Sequence, residues 1–116
     1  MTTYEELAKH REEDLRIIFA HFMAEHQLAK LREEADEFID AFESYYMHAP
    51  ENPDNWEHLI EELADVDVVL DQFKLTLADD AQRDGKLYHT LLEKKKAEKI
   101  ERTLDRMRSG YYDRER

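Results

Sequence analysis

Three observations predict an all-α fold. Glycine and proline number two each in 116 residues, too few for the tight turns of a sheet-rich fold. Apolar residues recur at helical spacing along most of the chain. Residues 31–45 and 59–73 superpose at a constant offset, and each gives one apolar stripe of helical period.

The first helix is expected over residues 4–23, with Leu7, Leu15, Ile18, Phe19 and Phe22 on one face. The second is expected over residues 28–47. No glycine or proline separates the two, and the break is placed within residues 21–27. Residues 48–55 read as a loop, because their two prolines cannot continue a helix. Asp54 with Glu57 has the spacing of a capping box opening the third helix, which is expected to end near Leu77. Residues 79–86, with Gly85, form the next break. The fourth helix is expected over residues 87–109 and is ended by Gly110. This describes one domain over residues 1–109, resembling a four-helix bundle, with a polar tail at 110–116. Apolar faces on the outer helices of so small a domain predict an oligomer, a homodimer or a homotetramer.

Composition narrows function. With 17 basic and 29 acidic residues the net charge is −12, which argues against direct nucleic-acid binding. There is no cysteine, so thiolate metal sites, disulfides and Cys nucleophiles are excluded. No apolar run approaches the length of a membrane span and no signal-peptide core is present, so a cytoplasmic, non-membrane protein is expected. Two glycines leave no room for a phosphate-binding glycine loop.

The superposed segments carry the chemistry. Leu31 matches Leu59, Glu34 matches Glu62, Glu37 matches Asp65, and Phe38 matches Val66. Ala41 then matches Val69, Phe42 matches Leu70, and Tyr45 matches Phe73. On a helix Glu34/Glu37 and Glu62/Asp65 are each one turn apart, with Cβ atoms about 5–6 Å from each other. If the helices pack stripe to stripe, four carboxylates meet in one groove, and such a group repels itself unless a cation lies between. Acidic pairs at this spacing are common: the chain has eight, including Asp40/Glu43 and Glu98/Glu101, where about seven arise by chance. Shared register with an apolar stripe, not number, singles out these two. The competing reading is that the acids rim a helix interface and pair with Lys or Arg.

The donor set narrows the metal. None of the six histidines has an acid three residues before it, so the Glu-x-x-His pattern of di-iron bundles is absent. An all-carboxylate site suits Mg²⁺ or Mn²⁺, and the chemistry implied is metal-assisted attack of water on phosphorus.

Glu33-Glu34-Ala35-Asp36-Glu37 reads E-E-x-x-E and Glu62-Leu63-Ala64-Asp65 reads E-x-x-D. In this helix-loop-helix context the pair resembles the MazG-like all-α nucleotide pyrophosphohydrolases, a group with dimeric dUTPases and phosphoribosyl-ATP pyrophosphohydrolases. The resemblance covers residues 28–73. It implies an oligomeric four-helix core and Mg²⁺ held by Glu34, Glu37, Glu62 and Asp65. It also implies cleavage of a nucleotide substrate between its α- and β-phosphates. Glu33, the extra acid, would then orient or activate water, with Glu37 as the other acid for that task. Asp67 departs from the family, where an apolar residue is frequent.

Lys95, Lys99, Arg102 and Arg106 form one basic stripe on the fourth helix, opposite Ala97, Ile100, Leu104 and Met107. Phosphate contact and a solubilising face are both consistent with it. Trp56, Tyr45 and Tyr46 lie near the loop, where an aromatic can stack a base or fill the core. His21, His26 and His58 show no pairing pattern and are expected as surface or core residues. Two other classes of function remain open from sequence: an acidic helical charge mimic that binds a basic partner, and a helical assembly module.

Overall fold

The structure is a computed structural model describing residues 5–6, 10–48 and 53–110. Among the described residues it contains helices and no strand: α1 (Arg11–His48), α2 (Pro53–Asp84) and α3 (His89–Arg108). The all-α expectation holds. None of these helices is long and apolar enough to cross a membrane.

The division expected at residues 21–27 is present: α1 is two helical stretches joined at a kink at Met23, which alone leaves helical geometry (φ 69°, ψ 163°). That region of backbone space favours glycine, so a methionine there carries strain of about 1–3 kcal/mol. Position 4, Leu7 and the tail from 111 lie outside the described residues, as do loop positions 49–52.

Helix α2 differs from expectation at both ends. It begins at Pro53, whose fixed φ and missing N–H suit a first helical position, so Asp54 sits inside the first turn and is not its cap. It runs past Leu77 to Asp84, because nothing in residues 78–84 breaks a helix. Gly85 then takes φ 68° and the Lys86 N–H donates to Ala81 O at 2.9 Å, a Schellman closure. Helix α3 starts at His89. It closes through Ser109 N–H to Asp105 O (3.0 Å) and Gly110 N–H to Met107 O (3.2 Å).

The chain forms two compact units, Met1–Thr76 and Leu77–Arg116. In the first, α1 and α2 run antiparallel. Tyr45 meets Trp56 (5.8 Å between ring centroids), Gln27 meets Gln72, and Phe19 meets Phe73 edge-to-face at 5.3 Å. Ala41, Leu59 and Val69 are buried between them, and Leu31, Phe38, Val66 and Leu70 are half-buried. One stripe position departs: Phe42 is exposed and stacks along its own helix on Tyr46 at 6.2 Å. In the second unit α3 has no buried residue, so the expected apolar face of Ile100, Leu104 and Met107 is on the surface.

Candidate functional site

Antiparallel packing of α1 on α2 brings Glu34, Glu62 and Asp65 together. One carboxylate oxygen from each lies within 4.8 Å of the others. Glu34 is only 5% exposed. Its Oε1 accepts a 2.7 Å bond from the ammonium of Lys30, one turn earlier, and its Oε2 is buried with no hydrogen-bond partner. Glu62 repeats the arrangement. Its Oε1 is 3.8 Å from Nδ1 of His58, one turn earlier, and its Oε2 is also buried without a partner. A buried carboxylate oxygen with nothing to bind is costly, and carboxylates this close repel as well.

Glu37 is exposed and stands at the edge of this group. The charge of Glu34 raises its pKa first; desolvation, Glu62 and Glu33 raise it further. The hydrogen bond to Glu34 and the charge of that carboxylate raise the pKa of Lys30. Of the four ligands expected from sequence, the structure therefore gathers three and leaves the fourth coupled to them by charge.

The group fits a hard cation. Its donors are all carboxylate oxygens, and Glu34 and Glu62 each also have one oxygen with no hydrogen-bond partner.

Beside the carboxylates lies a cavity of about 440 Å³, lined at one end by Lys30, Glu33, Glu34 and Asp65. Its other walls include Gln27 and Gln72, which are 3% and 2% exposed. Gln27 Nε2 donates to Gln72 Oε1 at 2.8 Å, and Gln72 Nε2 donates to Val68 O at 3.3 Å. Nδ1 of His26 lies 2.9 Å from Gln27 Oε1, and the His26 ring stacks on Phe22 with centroids 4.8 Å apart.

None of these flanking residues is expected at the site from sequence, yet signals for some exist. Lys30 precedes Glu34 by four, His58 precedes Glu62 by four, and both lie at the offset that relates the two segments. His58 therefore does have a pairing pattern, contrary to expectation. The glutamines give a weaker signal, as polar residues in phase with an apolar stripe.

The remaining candidates lie elsewhere. Trp56 packs on Tyr45 and lines a shallow surface with Ile60 and Ala64, not the cavity beside the carboxylates. Lys95 pairs with Glu98 at 3.6 Å, and Arg102 and Arg106 share a groove with Glu98, Glu101 and Asp105 in the second unit. Lys99 lies on the same helix, its carbonyl accepting a bond from Thr103 Oγ1 at 2.9 Å.

Comparison of the chain with models of known families, with curated proteins and with solved structures finds no match.

Proposed function

We propose that this chain is a Mg²⁺-dependent nucleotide pyrophosphohydrolase of the MazG-like type. It would cleave a nucleoside triphosphate between the α- and β-phosphates to monophosphate and pyrophosphate, acting on cytoplasmic nucleotides. The observation that carries this reading is the pair of buried, partnerless oxygens on Glu34 and Glu62, one from each motif. Neither a solvated acidic face nor a charge mimic accounts for acids placed out of water.

Glu34, Glu62 and Asp65 would hold the ion, with Glu37 completing the set. A bound Mg²⁺, or Mn²⁺, would neutralise the phosphates and make a bound water more acidic. Glu33, which lines the cavity, would orient water. Glu37, beside the same group, would be the other acid able to accept its proton. Water adds across the α–β anhydride, and its proton passes to the carboxylate. Lys30 supplies positive charge at the same end of the cavity. Contact of the α3 stripe with phosphate and of Trp56 with a base find no comparable support.

Assembly as a homodimer or homotetramer is part of the proposal. Ile39, Phe42 and Trp56 in the first unit and Ile100 and Met107 in the second are all exposed.

A screen of nucleoside triphosphates with Mg²⁺, read as pyrophosphate release, tests the activity. Pyrophosphate with monophosphate and no diphosphate intermediate is expected. Orthophosphate appearing first would refute the assigned bond.

A further inference from the structure

We infer that the cavity beside the carboxylates is the subsite for the base of the nucleotide, and that the Gln27–Gln72 pair reads the edge of that base. The inference rests on the nucleotide reading above and adds to it the group that selects among substrates.

Two buried carboxamides are an expensive thing to place beside a cavity unless they are hydrogen-bonded. A carboxamide has two donor hydrogens and two acceptor lone pairs. The bond between the glutamines and the bond to Val68 O use one donor of each amide. Both side chains line the cavity. A ligand edge that sets a donor next to an acceptor is complementary to them, and the edge of a nucleobase has that pattern. An apolar ligand would leave the second donor hydrogen of each amide unused, and a sugar alone would not use the flat walls.

Those walls are the second observation. Phe22 is 44% exposed, its ring lies within 18° of parallel to His26, and both line the cavity. Ile18, Val68 and Val69 add apolar surface. Together they offer a face on which a planar ring can lie, while the amides meet its edge.

The third observation is polarity along the cavity. Its amide and aromatic walls are continuous with Lys30, Glu33, Glu34 and Asp65. A ligand whose ring lies at the glutamines has room to place its phosphates at the end that would hold the ion. A volume of about 440 Å³ falls within the common range for small-molecule sites.

Nuclear magnetic resonance of the whole ¹⁵N-labelled chain, without metal, tests this on the wild type. The probes are UMP, CMP, AMP and GMP, with ribose 5-phosphate as the baseless control. The side-chain amide signals of Gln27 and Gln72 should shift saturably with at least one monophosphate and stay fixed with ribose 5-phosphate. That monophosphate should bind about tenfold tighter than the control, about what one neutral hydrogen bond supplies. Gln27→Met and Gln72→Met should compress the ranking of the four bases by a similar factor and leave ribose 5-phosphate unaffected.

Glutamine signals that stay fixed while a monophosphate binds would overturn the subsite, as would failure of every monophosphate to bind. So would an unchanged base ranking in both variants. Pyrophosphate release is assayed separately. Its absence with responding glutamines refutes the hydrolase and leaves the subsite; its presence with silent glutamines does the reverse.

Discussion

The two acidic segments are matched in sequence and unequal in structure. Each places a nitrogen base one turn before its glutamate, and each leaves one oxygen of that glutamate buried and partnerless. Lys30 sits 2.7 Å from Glu34, but His58 is 3.8 Å from Glu62. The hydrogen bond and charge of Glu34 raise the pKa of Lys30 further. The Glu34 side chain is 6% exposed and that of Glu62 16%, so the deeper carboxylate has the firmer cation. One turn on, the inequality reverses: the shorter Asp65 joins the three-carboxylate group, while the longer Glu37 does not, though both are exposed. Matched spacing thus builds a symmetric frame, and local burial decides how closely each glutamate is compensated from within the protein.

The largest effect should come from the two glutamates. Glu34→Gln and Glu62→Gln each remove a carboxylate charge at constant size, and each should lower pyrophosphate release at least ~100-fold. Asp65→Asn should do the same. Retained activity in any of the three would break the equivalence of the segments.

Next in size is the contrast between the flanking bases. Lys30→Met should destabilise the metal-free protein by about 1 kcal/mol, because Glu34 keeps its burial and loses its cation. His58→Gln should have a smaller effect. Chemical denaturation of both variants reads the difference, and equal losses would show that the shorter Lys30 contact has no energetic meaning.

A subtler expectation concerns pH. The pKa of Glu37 is raised by the neighbouring carboxylates in the folded state. Its contribution to stability is therefore present below the ordinary glutamate range and lost as pH rises through the raised value. Melting of the metal-free protein should show that decline, and Glu37→Gln should flatten it. Excess Mg²⁺ should flatten it too, by offsetting the repulsion that causes it. The smallest effects belong to acids outside the frame. Asp40→Asn and Glu98→Gln should stay within about 0.5 kcal/mol of wild type with near-normal activity.

Much of the frame was legible in the sequence, for identifiable reasons. Scarce glycine and proline gave the helices, and the 28-residue offset gave the paired segments. Helix ends were less legible. Residues 78–84 contain no breaker, so α2 continues until Gly85. The bend at Met23 has no local cause in the sequence, because methionine does not favour its geometry. Phe42 fits the stripe by spacing and is exposed all the same, since spacing says nothing about how far the opposing helix reaches. At the site, the pairing of Glu34 with Glu62 and Asp65 followed from register. The Gln27–Gln72 contact links residues 45 apart and had no signal stronger than helical phase.

Calorimetric titration of Mn²⁺ into the wild type, Glu34→Gln and Glu62→Gln tests the central claim most directly, that the two segments form one cation site. The wild type should show saturable heat, and each variant should lose at least about tenfold in affinity. No heat with the wild type, together with an unchanged melting curve in millimolar Mn²⁺, would contradict the site. So would either variant binding as tightly as the wild type.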